Sequence, residues 1–219
     1  MASKQYIVIG LGKFGSSVAK TLYKLNCEVI GVDVDSHKVD EISDHVTHSV
    51  CFDATDEVAL KQLGVSNFDV AIVAIGSDIQ ASVMVTLALK ELGVPFIVSK
   101  SVNSIHSKIL SKIGADKIIE PENDIGVRIA HNIVSSSVLD YIQLSENYQV
   151  NELVVPKEWY NKSIYEMKFR ERYHISVVAI RRGNNIIVSP TNEDILMSGD
   201  TIVCICKNQD MDKITSYLR

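Results

Sequence analysis

The sequence predicts an α/β fold: a doubly wound parallel sheet followed by a crossover helix and a small α+β C-terminal domain. Three observations predict it. Val- and Ile-rich runs alternate with helix-length segments through the first 120 residues, glycines stop three successive helical patterns, and beyond about residue 141 turns rather than helices separate most of the strands.

The runs are YIVIG (6–10), CEVIGVD (27–33), HSVC (48–51), DVAIVAIG (69–76), PFIVSK (95–100) and DKIIE (116–120). Few polar residues break them, which suits parallel strands buried on both faces, because a half-exposed strand would alternate. Between them Val18, Leu22 and Leu25, then Val83, Leu87 and Leu92, recur at helical spacing. Six βα units in succession give a Rossmann-like sheet. Gly64, Gly93 and Gly114, in KQLGV, KELGV and SKIGA, stand where a left-handed cap closes a helix.

After Pro121 the segment PENDIGVRIAHNIVSSSVLDYI places Ile125, Ile129 and Ile133 on one helical face, with Ala130, Val134 and Val138 beside it. This wide apolar band packs either on its own domain or, as a crossover helix, on a partner subunit. Next come YQVNELVVP, a helical stretch around SIYEMKFRER, two alternating strands joined at Gly183-Asn184-Asn185 as a hairpin, TIVCIC and a last amphipathic helix. The expected domains are 1–140, including the crossover helix, and 141–219.

Bulk properties narrow the function. Of 219 residues, 46% are hydrophobic and 22% charged, values of a folded globular chain. No run reaches the roughly 18–20 apolar residues of a membrane span, and MASKQYIVIG lacks the order of a signal peptide, so the protein is expected in the cytoplasm and not itself spanning the membrane. A net charge of −5 disfavours nucleic acid, and Arg181-Arg182 reads as a solvated strand end. Cys27, Cys51, Cys204 and Cys206 form no CxxC pair; in TIVCIC the last two share one strand face and read as small apolar packing.

The sharpest motif is Gly10-Leu11-Gly12-Lys13-Phe14-Gly15, directly after the first strand and opening a helix. In a βαβ unit the first glycine makes the turn, the second lets backbone approach a pyrophosphate and the third lets helix and strand pack closely. The helix N-terminus then meets the phosphates. Asp33 ends the second strand 18 residues beyond Gly15, where a carboxylate accepts hydrogen bonds from ribose hydroxyls, so a ligand without a 2′-phosphate is expected. Asp35 is either a further polar contact or the cap of the helix SHKVDEI. Asp53-Ala54-Thr55 follows the third strand, beside an adenine ring, though Thr55 or Asp56 could cap the next helix. Ile75-Gly76-Ser77 closes the fourth strand at its ligand-binding edge, and Lys100, closing the fifth, completes the set.

Chemistry is harder to find. The six histidines show no partner pattern, and no nucleophile elbow or His-Glu metal motif appears. The sequence therefore predicts nucleotide binding without reaction, against an NAD-dependent oxidoreductase or a sensor acting on some other partner.

With these motifs in view, IVIGLGKFGSSVAKTL, EVIGVDVD, DVAIVAIGSDIQASVMVTLALKELG, KILSKIGADKIIEPENDIGVRIA and IIVSPTNEDILMSGDTIVCI resemble the RCK family, regulators of potassium conductance, and its Ktr/TrkA-type cytosolic gating subunits. The resemblance implies a nucleotide-binding domain for ATP, ADP or NAD(H) and a C-terminal domain that binds cyclic di-AMP in some members. It also implies a homodimer assembling to an octameric ring at the inner face of the membrane, beneath a potassium-channel subunit. Lys13 matches a position often Arg in the family, keeping charge but not the planar fork. Glu122 matches an acid that ligates a divalent cation, Mg or Ca, on the γ-phosphate side; a first-turn helix acid is the alternative. For cyclic di-AMP the candidates are Ile164, Arg170, His174, Ile175 and Pro190, aliphatic walls with two groups for phosphate.

Overall fold

The computed structural model describes residues 4–134, 138–145 and 147–217. The chain divides into two compact units, Met1–Glu122 and Asn123–Arg219.

The first unit contains the six expected strands: β1 (Gln5–Ile9), β2 (Glu28–Asp33), β3 (His48–Cys51), β4 (Val70–Val73), β5 (Ile97–Lys100) and β6 (Lys117–Ile119). All pair in parallel, in the order β3-β2-β1-β4-β5-β6. Helices α1 (Lys13–Lys24), α2 (Ser36–Ile42), α3 (Glu57–Leu63), α4 (Ile79–Glu91) and α5 (Ser104–Lys112) make the crossovers. Successive β1 residues enter different cores: Ile7 and Ile9 pack with Val73, Val85 and Leu89, while Val8 packs with Val29, Ile42 and Ile72. Burial on both faces is why this central run is continuously apolar.

Polar residues set the helix starts. Asp35, Asp56, Asp78 and Asn103 each accept a backbone N–H from the first turn of α2, α3, α4 and α5. Gly64, Gly93 and Gly114 adopt φ of 74°, 81° and 101°, the left-handed conformation expected where these helices stop.

From Pro121 a sixth helix, α6 (Pro121–Val134), carries Ile125, Ile129 and Ile133 exposed, at 49%, 51% and 76%. It is shorter than the sequence suggests. Val138, expected on the helix, instead opens β7 (Val138–Gln143), which pairs antiparallel with β8 (Tyr148–Val154). Backbone pairing with β8 overrides the helical spacing of the side chains.

The second unit continues with α7 (Ile164–Met167), α8 (Phe169–Arg172), β9 (Ser176–Arg182), β10 (Asn185–Val188), β11 (Thr201–Lys207) and α9 (Asn208–Tyr217). Its sheet runs β10-β9-β11-β8-β7. The single helix expected around SIYEMKFRER is two short ones, broken at Lys168, whose φ is 48°. Trp159 packs edge-on against Phe169, and Cys204 and Cys206 are buried in the same core. Asp200, fully buried, receives Arg182 through two bonds of 2.8 Å and the Met197 N–H at 2.8 Å.

Candidate nucleotide-binding site

The strand order reverses at β1, between β2 and β4, and a cleft of about 1020 Å³ opens at the carboxyl ends of these strands. That is the crevice where open α/β sheets take ligands, and it is as large as the roughly 300–1,000 Å³ of small-molecule sites allows.

The glycine loop divides its tasks as expected. Gly10 turns at φ 95°, and a Cβ there would lie 3.0 Å from the Ala74 carbonyl carbon. At Gly15 a Cβ would fall 1.8 Å from the Gly10 carbonyl oxygen, so this glycine serves packing and does not line the cleft. Around a Cβ at Gly12 nothing lies within 4 Å. Gly12 caps α1 without a side-chain hydrogen bond, leaving first-turn N–H groups for an anion. Lys13 and Phe14, in the first helical turn, also line the cleft.

Asp33 is 7% exposed. Its Oδ2 accepts the Leu11 N–H at 2.6 Å, its Oδ1 accepts the Asp35 N–H at 2.9 Å, and Lys38 Nζ stands 3.4 Å away. Asp35 takes the capping role: it accepts the His37 N–H at 3.0 Å and lies outside the cleft. Across the crevice Asp53 Oδ1 accepts both the N–H and the hydroxyl of Thr55, at 2.9 and 2.7 Å. These bonds, the backbone one foremost, hold the Asp53 carboxyl below the usual carboxylate range. Asp56, not Thr55, caps α3, so Thr55 is left to shape the cleft wall with Ala54.

Ile75 and Gly76 follow β4, and Lys100 closes β5. The Lys100 side chain is 11% exposed; its Nζ lies 2.5 Å from Glu122 Oε1 and 5.8 Å from the Phe14 ring centroid. The Lys100 contact, followed by a backbone N–H in the first turn of α6, lowers the Glu122 carboxyl below its ordinary value. The expected role of Glu122 is to share a divalent cation with a γ-phosphate. Its carboxylate is paired with Lys100, and among the described residues no three His, Cys, Asp or Glu side chains could hold an ion.

The structure thus brings Gly10, Gly12, Lys13, Phe14, Asp33, Asp53, Ala54, Thr55, Ile75, Gly76, Lys100 and Glu122 to one cleft. Ser77, expected beside Ile75 and Gly76, lines it too, whereas sequence reasoning missed Lys38, Phe52 and Met84. Asp78 was also missed; it caps α4 from the cleft edge.

A TrkA-N domain model matches residues 6–121, and a TrkA-C domain model matches residues 151–219. The chain belongs to the TrkA-N/TrkA-C family. Ktr system potassium uptake protein C of Bacillus subtilis (strain 168) is 46% identical over 210 residues, 96% of this chain and 95% of that protein. Ktr system potassium uptake protein A of the same organism is 43% identical over 211 residues, again 96% and 95% of the two chains. A solved structure of the GsuK channel bound to NAD superposes with a TM-score of 0.66 at 18% identity, covering 99% of this chain and 39% of that one, and shares the fold. The RCK resemblance read from the motifs holds.

The five cyclic di-AMP candidates, expected at an interface between two copies, lie on different segments of the TrkA-C unit. His174, at φ 55°, lines a groove of about 320 Å³ with Tyr148, Ser176, Ile205, Lys207 and Asp210. Arg170 is exposed on α8, and Ile164 and Pro190 are half-buried. Ile175 is fully buried in the core, so its side chain is no surface wall.

Proposed function

We propose that this chain is the nucleotide-sensing regulatory subunit of a Ktr-type potassium uptake system, binding an adenosine nucleotide without transforming it. The observation that carries the reading is α6. Its second residue, Glu122, lines the cleft, and its apolar residues Ile125, Ile129 and Ile133 stand exposed further along the same helix. A helix that begins at a ligand and exposes an apolar face couples occupancy to subunit contact.

The potassium-uptake relatives, similar over almost their whole length, support a membrane channel as the partner. The glycine loop and Asp33 suit ATP, ADP or NAD(H). In this reading the chains pair through α6, build a ring, and sit at the cytoplasmic face through the channel subunit. Cyclic di-AMP, an effector on the same reading, would lie between two copies, where Arg170 and His174 can meet its phosphates.

Two measurements test the proposal together. Titration of ATP, ADP and NADH into the full chain is expected to show binding that Asp33→Ala weakens, and the chain is expected to co-purify with a Ktr-type membrane subunit. A chain that binds none of the nucleotides and retains no channel subunit would overturn the reading.

A further inference from the structure

We infer that the Lys100–Glu122 pair sorts ligands by their phosphate ends, admitting Lys100 to a terminal phosphate and leaving it on Glu122 when both phosphates are esterified. The inference rests on the nucleotide reading above and adds the ligand class.

The geometry sets Lys100 at the phosphate end of the cleft. Its ammonium lies 5.8 Å from the ring of Phe14, which belongs to the first turn of α1, the helix whose N-terminal N–H groups face the phosphates. Gly76 makes that position available: a Cβ there would stand 3.3 Å from Lys100 Nζ and 3.6 Å from Cε. A Cβ there would require the lysine tip to shift by a few tenths of an ångström.

Lys100 is nearly buried, with one carboxylate on it, whereas Glu122 is 71% exposed and loses little by returning to water. A phosphate can take the lysine only by offering more charge than that carboxylate. A terminal phosphate carries about −1.5 to −2 near neutral pH because its second pKa is about 6. An esterified phosphate of a pyrophosphate bridge carries a single charge, no more than Glu122 itself. ADP therefore exchanges for Glu122 on Lys100, and a dinucleotide does not. The exchange also detaches the first turn of α6 from β5, which a dinucleotide leaves in place.

ADP and ADP-ribose isolate this difference, since they share adenosine and pyrophosphate and differ in the ester on the second phosphate. Both are titrated calorimetrically into the full chain and two variants. A charge-assisted contact is worth about 1.5–3 kcal/mol, so Lys100→Met is expected to weaken ADP at least about tenfold while changing ADP-ribose less than about threefold. Glu122→Gln keeps the side chain's size and polarity at an exposed position, removes the charged competitor and is expected to tighten ADP by about fivefold with ADP-ribose unchanged, denaturant unfolding of the variant confirming that it folds. If Lys100→Met fails to fold, the Glu122→Gln arm decides alone. Equal changes for the two ligands, or no tightening of ADP in Glu122→Gln, would overturn the inference and leave nucleotide binding standing. A parent chain that binds neither ligand would overturn both.

Discussion

Asp33, the last residue of β2, accepts the backbone N–H of Leu11 at 2.6 Å, so the carboxylate expected to hold the ribose also braces the glycine loop. The two parts of the site are one hydrogen-bonded unit. Asp33→Ala is therefore expected to weaken adenosine-nucleotide binding by about 1.5–3 kcal/mol, the worth of hydrogen bonds to a charged group. It should also destabilise the fold by about 1–3 kcal/mol through the unsatisfied Leu11 N–H. Calorimetric titration and denaturant unfolding measure the two effects separately; a variant with parental affinity would remove Asp33 from the site.

Gly12 and Gly15 separate binding from folding. With nothing near its Cβ position, Gly12→Ala is expected to keep stability within about 1 kcal/mol yet lose nucleotide affinity, because the methyl group occupies the phosphate position. Gly15→Ala drives a methyl into the Gly10 carbonyl, and should destabilise by about 2 kcal/mol or more. Thermal unfolding of both variants, read beside ADP titration, checks the contrast.

Much of this was legible in the sequence, for physical reasons. Central strands buried on both faces must be largely apolar, so β1, β2 and β4 showed most clearly, while the edge strands β3 and β6 are only partly buried; glycines at positive φ have few substitutes, so the helix ends showed. The stretch from Val138 was read as helix because its apolar spacing suits a helix, while the pairing of Ile142 with Val150 that makes it strand is non-local. The Lys100–Glu122 contact was hidden likewise. It exists because β5 pairs with β6 in the register Lys100↔Ile119, which delivers the start of α6 to the lysine. No local pattern announces Lys38 or Phe52 as cleft residues.

His106 gives the first unit a dependence on acid. It is 1% exposed, neither ring nitrogen has a hydrogen-bond partner among the described residues, and burial lowers its pKa below 6.5. The folded state then binds fewer protons than the unfolded chain, so stability is full above about pH 6.5 and falls as pH drops through the folded pKa. His106→Leu is expected to flatten the pH dependence of unfolding between about pH 7 and 5. An unchanged slope would show that another group carries it.

Arg182 and Asp200 anchor the second unit. Burial alone would raise the Asp200 carboxyl, but the Arg182 bonds and the Met197 N–H outweigh it and leave the pKa lowered. Its contribution is thus complete above the ordinary carboxylate value and lost as pH falls through the lower folded one. Arg182→Met leaves Asp200 a buried charge without its cation and is expected to destabilise by about 2–4 kcal/mol, discounted for the partly exposed arginine. Denaturant unfolding of the full chain measures it.

The most direct test is potassium flux in liposomes holding a Ktr-type membrane subunit with this chain, compared in ATP and in ADP. Flux that differs between the two nucleotides, and a difference that Asp33→Ala abolishes, is what the account predicts. Equal flux in ATP, in ADP and without nucleotide, from a chain that demonstrably binds the membrane subunit, would contradict it.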